Sequence, residues 1–218
     1  MFAEGKLKFM LWFERLYLQW RGIGKLKYVP FLVNYLILPV SIKILGSAPG
    51  QYDEPYYFFE LAFYFIPFMS VWWILMIMQE YVEGMGNEVI KIYDRQKVFD
   101  IVVYFVLYVI SIQPLYKYAK LYWEADDLTM QLIISQGFFY LGISYLIIIL
   151  FKSIVAAVVP IFMFTLLSGL HFSNIAERMH INDFRTVGGY VVIGGICLML
   201  GVIMQTPVEK YVKALLRR

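Results

Sequence analysis

The stretch from Thr129 to Leu170 reads TMQLIISQGFFYLGISYLIIILFKSIVAAVVPIFMFTLLSGL and contains a single charge, Lys152. As one helix, rising about 1.5 Å per residue, it would be roughly twice as long as the ~30 Å hydrocarbon core of a bilayer is thick. The stretch therefore predicts two membrane-crossing helices, at 129–150 and 153–170, joined by a tight turn at Phe151-Lys152-Ser153.

Four further apolar stretches have the ~17 to 25 residues that a membrane-crossing helix needs. They lie at 28–46, 57–79, 99–121 and 189–206. Hydrophobic residues make up 61% of the chain and charged residues only 16%, well below the ~25% usual in soluble domains. The short alternating segments of a membrane barrel are absent, so the backbone hydrogen bonds must close within helices. We expect an all-α, polytopic membrane domain at 28–206 with six transmembrane helices.

The distribution of Lys and Arg predicts the orientation of these helices, because basic loops are retained on the cytoplasmic face. With both termini inside, 14 of the 19 basic residues fall on the inner side and 5 on the outer side. This pattern predicts a multi-pass protein of the cytoplasmic (inner) membrane, with residues 1–27 and a basic tail at 207–218 in the cytoplasm. The basic residues flank helices, where they lie beside membrane lipid headgroups, which argues against nucleic-acid binding.

Residues 6–21 have the pattern of an amphipathic helix at the membrane interface. The predicted apolar face consists of Phe9, Phe13, Leu16 and Trp20, and the polar face of Lys8, Arg15 and Gln19. Leu11 and Leu18 interrupt the polar face. We expect a surface anchor that positions the first crossing; the alternative is a contact surface for a cytoplasmic partner.

The inner loop between the second and third crossings, 80–97, predicts a second amphipathic helix. Its apolar stripe is Val82, Met85, Val89 and Ile92, and its polar stripe is Glu80, Glu83, Asn87, Lys91 and Asp94. Gly84 and Gly86 each lower helicity by about 1 kcal/mol relative to alanine, so another surface must hold the helix. Its acidic residues suit a partner protein with basic groups better than an anionic membrane.

The string Gln79-Glu80-Tyr81-Val82-Glu83-Gly84-Met85-Gly86-Asn87-Glu88 resembles the glutamate-glycine-glutamate coupling segment of six-helix permeases of the type-2 ABC exporter family. Three other positions are similar to that family. They are the basic segment with Arg15 and Trp20-Arg21, the turn at Lys152-Ser153, and Leu167-Ser168-Gly169 ahead of an outer segment.

The resemblance implies that the coupling residues contact a separate cytoplasmic ABC ATPase. These residues are Glu80, Glu83, Gly84, Asn87 and Glu88. It also implies that two permease subunits, identical or homologous, form the pathway. The chain contains no G-x-x-x-x-G-K-[ST] phosphate loop, so we expect ATP and Mg on the partner ATPase, no cofactor on this chain, and no enzymatic activity of its own.

Polar residues at membrane depth are candidates for the transport pathway, since they are costly there. They are Asn34, Gln113, Gln136, Lys43 and Glu60. The amides can instead bond neighbouring helices, and Lys43 can extend to the outer surface. Asp100, at the inner start of the third crossing, is expected to be structural because a carboxylate is stabilised at a helix N-terminus. The absence of a buried charge cluster favours an amphipathic or apolar cargo. The short outer loops favour a small or flexible one, a peptide or a lipid-like molecule.

The segment after the fifth crossing holds the two histidines, and a membrane hydrolase that uses them is one alternative. His171 lies about 180° from His180 on a common helix, and no H-E-x-x-H is present, so we predict surface histidines and no metal site. The apolar stripe of Phe172, Ile175 and Met179 predicts a short segment at the exit of the pathway. A second alternative is a non-catalytic membrane partner or immunity protein that sequesters a peptide.

Overall fold

The computed structural model describes residues 2–47, 52–82, 97–123, 125–171 and 184–216. Within these ranges the chain consists of helices and turns without a strand, which confirms the predicted all-α fold. The α-helices are α1 (Phe2–Gly22), α2 (Val29–Leu32), α3 (Leu38–Gly46), α4 (Glu54–Ser70), α5 (Trp72–Val82), α6 (Lys97–Ser111), α7 (Gln113–Tyr122), α8 (Asp127–Phe151), α9 (Ile154–His171) and α10 (Phe184–Leu216).

Five helical stretches are long and apolar enough to cross a membrane, as expected of a multi-pass membrane protein. These five spans, numbered in chain order, are Gly24–Gly46, Glu54–Gln79, Val98–Tyr122, Asp127–Phe151 and Val187–Gln205. They coincide within a few residues with five of the six predicted crossings. The predicted crossing at 153–170 corresponds to α9, whose described apolar part, Ile154–Thr165, is shorter than a bilayer-crossing helix.

The first span is not a uniform α-helix. A 3-10 turn at Gly24–Tyr28 leads into α2, and a π-helical turn at Val33–Ile37 separates α2 from α3. Pro39 has no N–H to give back to the preceding turn, and the N–H of Leu38 reaches five residues back to the carbonyl of Val33. The widened turn contains Asn34.

The second and third spans are each interrupted once, close to a proline. Helix α4 ends after Pro67, and Val71 separates it from α5. Ile112 separates α6 from α7, just before Pro114. Proline removes a backbone donor and clashes with the preceding turn, which accounts for both breaks.

Contacts between the first three spans define two ends of the bundle. At one end Trp73 of the second span bonds Lys27 of the first; at the other end Gly46 packs closely against Glu54. These two spans are therefore antiparallel. The third span carries Asp100 at the Lys27 side and Trp123, which bonds Glu54, at the opposite side. We refer to the two sides as the Asp100 end and the Glu54 end.

The fourth and last spans run in the same direction. Phe139 packs against Tyr190 at 5.4 Å between ring centroids, and Tyr145 donates to Gln205 at 2.6 Å, so positions along both helices increase together. Two consecutive parallel helices require the chain to return between them. Helix α9 pairs with α8 in the opposite direction and begins after the predicted turn, which is present with Lys152 in the left-handed region, φ 49°.

Glycine allows α8 and α10 to approach at van der Waals distance. A Cβ built on Gly142 would lie 2.2 Å from the carbonyl oxygen of Gly194, far inside a permissible contact. Small residues at such a crossing let helix backbones pack tightly where no hydrophobic effect drives association.

Candidate functional site

Asp100 is the most enclosed charged group among the described residues, and it fixes α1 to the start of α6. Its side chain is 3% exposed. Arg15 Nη2 donates to Oδ1 at 2.7 Å and to Oδ2 at 2.6 Å, and Trp12 Nε1 donates to Oδ1 at 2.9 Å. The carboxylate also lies in the first turn of α6, where the helix dipole stabilises negative charge. Its charge is thus compensated where burial would otherwise be costly.

One helical turn further along α6, Tyr104 continues the contact with α1. Its hydroxyl donates to the carbonyl of Leu16 at 2.9 Å, and its ring stacks on Trp20 with centroids 6.2 Å apart. Trp20 also meets Trp73 of α5 edge-to-face at 4.9 Å. Helix α1 therefore contacts α5 and α6 together.

The 3-10 turn at the start of the first span is held by the same tryptophan region. Trp72 Nε1 donates to the carbonyl of Leu26 at 3.0 Å, and Trp73 Nε1 donates to the carbonyl of Lys27 at 2.9 Å. The ammonium of Lys27 lies 5.7 Å from the ring centroid of Trp20, within cation–π range. We call this assembly the α1 clamp. It consists of Trp12, Arg15, Leu16, Trp20 and Lys27 on one side and Trp72, Trp73, Asp100 and Tyr104 on the other.

The clamp holds both helices that flank the predicted coupling segment, α6 in its first turn at Asp100 and α5 at its first two residues, Trp72 and Trp73. Helix α5 ends at Val82 and α6 begins at Lys97, one turn before Asp100. Both ends of the segment 83–96 therefore enter helices that α1 holds. Of the predicted coupling residues, Glu80 lies in the last turn of α5, and the others, Glu83, Gly84, Asn87 and Glu88, lie outside the described residues.

The orientation predicted for α1 was partly wrong. The predicted apolar face was expected on the membrane surface, but Leu16 and Trp20 pack against the protein core, while Phe13 is 62% exposed. Arg15 faces the protein, since its partner is Asp100 on α6. The outward face is the apolar one: Met10, Leu11, Phe13, Tyr17 and Leu18 are all exposed.

Asn34, a predicted pathway residue, lies in a second polar node that is buried at membrane depth. Its Nδ2 donates to Tyr108 Oη at 2.8 Å, and Tyr108 Oη donates to the carbonyl of Ile66 at 2.8 Å. Asn34 is 1% exposed and Tyr108 is equally buried. The next residue, Tyr35, donates to the carbonyl of Ser111, so the π-helical turn is bonded to the third span twice.

The other two predicted amides do not join this node. Gln136 is buried in α8 and donates to Tyr140 Oη at 2.9 Å; Tyr140 Oη in turn lies 2.9 Å from Thr165 Oγ1 of α9. Gln113 donates to the carbonyl of Val109 at 3.1 Å, within the break between α6 and α7. The three amides thus lie in three separate hydrogen-bonded groups.

The two charged pathway candidates, Lys43 and Glu60, do not contact each other through an ion pair in the described part of the chain. Lys43 is exposed near the Glu54 end of α3, and Glu60 is half-buried in α4. The structure holds Lys120 and Asp127 together at the same end instead, at 2.8 Å, both well exposed.

The predicted exit segment lies outside the described residues. This applies to Phe172, Ile175 and Met179 and to His180, while His171 is the last residue of α9. Among the residues that the structure describes, no group of three or more His, Cys, Asp or Glu side chains is placed to bind a metal.

Sequence reasoning missed Tyr104 and Tyr108 as site residues. Together with Asp100 they are spaced at i, i+4 and i+8 on one face of α6, and each bonds a different part of the chain. A polar stripe at helical spacing, starting at a charged residue inside an apolar helix, was the available signal.

Comparison with protein-family models, curated proteins and solved structures finds no match for this chain. The class of protein to which it belongs is therefore argued from its own residues.

Proposed function

We propose that this chain is the permease subunit of an ATP-driven exporter of the type-2 ABC class. It moves a small amphipathic cargo, a peptide or a lipid-like molecule, across the cytoplasmic membrane. The observation that carries the proposal is the α1 clamp. The helices that enter and leave the acidic segment 83–96 are both held by α1, so a displacement of that segment moves the second and third spans together.

The geometry of the clamp suits transmission of force. A charge-assisted pair is short and directional, and tryptophan side chains are large and stiff. Asp100 and Tyr104 hold α1 on the α6 side, and Trp73 holds it on the α5 side. A motor that binds segment 83–96 therefore acts on α5 and α6, which the clamp joins through α1.

The proposed topology has six crossings with both termini in the cytoplasm. The parallel fourth and last spans support α9 as a crossing, because the chain must return between them. Of the basic residues whose side chains the structure describes, five lie at the Asp100 end and three at the Glu54 end. The five are Arg15, Arg21, Lys25, Lys27 and Lys152, and the three are Lys43, Lys117 and Lys120. Under the positive-inside rule this bias supports a cytoplasmic location for segment 83–96.

The proposed assembly contains two cytoplasmic ATPase subunits, which bind ATP and Mg, and a second permease, identical or homologous. Within this chain, only 28% of the most apolar part of the first span and 17% of that of the last span are buried, against 67% for the second span. Two peripheral spans with largely uncovered apolar faces fit contact with membrane lipid and with a second permease.

Co-purification tests the proposal. The tagged chain, extracted from its native host in a mild detergent, is expected to carry a P-loop ATPase and to support ATP hydrolysis. The matched control is a Glu83→Lys/Glu88→Lys variant, expected to insert equally well but to lose the ATPase. Isolation of the wild-type chain without any ATPase would contradict the proposal.

The same preparation separates the proposal from its alternatives. A hydrolase would act without ATP and would lose activity on substitution of His171 and His180. A sequestering immunity protein would bind its peptide and protect cells without ATP hydrolysis.

A further inference from the structure

Only one of the two polar atoms of the Asn34 amide has a hydrogen-bond partner among the described protein groups. Its nitrogen donates to Tyr108, while its oxygen Oδ1 is fully buried and has no donor among the described protein groups. Buried polar atoms in folded proteins are paired in the great majority of cases, so such an atom points to a specific role.

The hydrogen-bond network fixes which amide atom is left over. Tyr108 has one hydroxyl hydrogen and gives it to the carbonyl of Ile66, which can only accept. Asn34 must therefore present its N–H to Tyr108 Oη. The remaining atom is an acceptor without charge.

Asn34 also lies at an irregular position of the first span. It is in the π-helical turn of the first span, a feature often found at functional sites, and its partners Tyr108 and Ile66 each lie within five residues of a helix break. Among the first four spans, the first has the smallest share buried within the chain. Movement of this one span would open the node to the outside of the bundle.

The described conformation is closed around this node. Asn34 and Tyr108 are each 1% exposed, and Tyr108 packs edge-to-face on Trp73 at 5.9 Å. A small cavity lined by Tyr108, Ile66 and Ile133 lies beside the node, and Asn34 is not part of its lining. The cavity is close to the size of a single water molecule, so it does not admit a cargo molecule.

We infer that Asn34 Oδ1 is the cargo-recognising acceptor of the pathway and that it takes an uncharged hydrogen-bond donor, an amide N–H or a hydroxyl, carried on an apolar molecule. This inference rests on the proposed function. A neutral acceptor among apolar side chains pairs with a neutral donor, whereas a cationic group would need a carboxylate at this depth. The cargo reaches Asn34 when the first span moves away from the third.

Paired probes that differ only in the donor test the inference. The purified chain is placed in lipid nanodiscs without ATPase or nucleotide. One pair is a labelled, capped tripeptide of leucine and alanine and its depsipeptide, in which an ester oxygen replaces one N–H. The other pair is a labelled long-chain alcohol and its methyl ether. Fluorescence anisotropy gives the affinity ratio within each pair, in which partition into lipid largely cancels.

On the wild-type chain, the donor-bearing member of one pair is expected to bind about fivefold more tightly than its analogue. The pair that shows the difference identifies the cargo as peptide or lipid-like. The ratio should fall to about one in Asn34→Leu and in the smaller Asn34→Ala, since both lack the acceptor. It should persist in Ser144→Ala, because that buried serine bonds only its own helix at Tyr140.

Equal affinity within both pairs on the wild-type chain, or no binding of any probe, would overturn the inference. So would a ratio that survives in both Asn34 variants. None of these outcomes involves the ATPase, so they are distinct from failure of the co-purification that tests the proposed function.

Discussion

Arg15 and Asp100 are 85 positions apart in the chain, yet one guanidinium nitrogen lies 2.7 and 2.6 Å from the two carboxylate oxygens. Asp100 is nearly enclosed, with 3% of its side chain exposed, while Arg15 remains 31% exposed. The pair therefore connects a helix outside the spans to the base of the third span. Removal of either side chain leaves the charge of the other without its partner.

Asp100→Asn is expected to lower the stability of the detergent-solubilised protein by about 1–3 kcal/mol. Loss of one partner of a buried pair leaves an uncompensated charge, and the partial exposure of Arg15 reduces the cost below that of a fully buried pair. Thermal unfolding measures the change. The Arg15→Gln/Asp100→Asn double variant should be more stable than the sum of the single effects indicates.

Lys120→Gln provides the matched control for this experiment. Its ion pair with Asp127 is exposed on both sides, so its removal is expected to leave the melting temperature nearly unchanged. If Asp100→Asn shifted the melting temperature no further than Lys120→Gln does, the enclosed pair would not contribute to the clamp.

Tyr108→Phe is expected to destabilise the protein by about 1–2 kcal/mol. The substitution removes both the acceptor for Asn34 and the donor to the carbonyl of Ile66, and hydrogen bonds between membrane helices have this magnitude. Thermal unfolding of Tyr108→Phe, Asn34→Leu and their combination measures the coupling. The exposed Tyr122→Phe serves as control. Strictly additive effects would show that the two side chains do not act as one node.

The spans were predictable from sequence because each depends on its own residues. An apolar run must satisfy its peptide groups internally, so it becomes a helix wherever the rest of the chain lies. The turn at Lys152 was visible for the same reason, as a charge between two apolar runs. The interruptions at Val71 and Ile112 follow from nearby prolines. The direction that each helix takes after the break depends on the neighbouring helices.

The site was less predictable because it depends on distant partners. Helix α1 has apolar side chains on both faces, so its periodicity alone does not say which face meets the protein. Arg15 was assigned to the polar face, opposite Leu16 and Trp20, but in the structure all three side chains contact the protein, Arg15 through Asp100. Likewise, Asn34 could be recognised as a polar residue at membrane depth, but its partner Tyr108 lies 74 positions away.

Gly142→Ala is expected to destabilise the protein by about 1–3 kcal/mol, the usual cost of overpacking. The added methyl would fall 2.2 Å from the carbonyl oxygen of Gly194 and force α8 and α10 apart. Gly195→Ala is the control, because a methyl group added there would meet no described atom within 4 Å and alanine favours helix. Thermal unfolding in one detergent compares the two. Equal melting temperatures would contradict close backbone contact at Gly142.

Labelling of single introduced cysteines tests the proposed topology in a Cys197→Ser background. Glu88→Cys and Lys152→Cys are expected to react with an impermeant maleimide only after the membrane is permeabilised. Ser47→Cys and Lys120→Cys, at the Glu54 end, should react in intact cells. Labelling of residue 88 from outside would contradict the orientation, and labelling of residues 47 and 152 from the same side would contradict the three crossings proposed between them.

Glu83→Lys and Glu88→Lys are each expected to reduce ATP-dependent transport by about tenfold or more, with the subunit still inserted. Charge reversal at an interface with a basic partner replaces attraction by repulsion, which costs more than the loss of one contact. ATP hydrolysis and transport are measured in vesicles that contain the permease and its ATPase. Asp53→Lys, an equal reversal of an exposed carboxylate at the Glu54 end, is the matched control and should transport normally. Unchanged transport in both glutamate variants would remove segment 83–96 from the coupling role, whereas an equal loss in Asp53→Lys would mean that the effect comes from net charge rather than from a docking site.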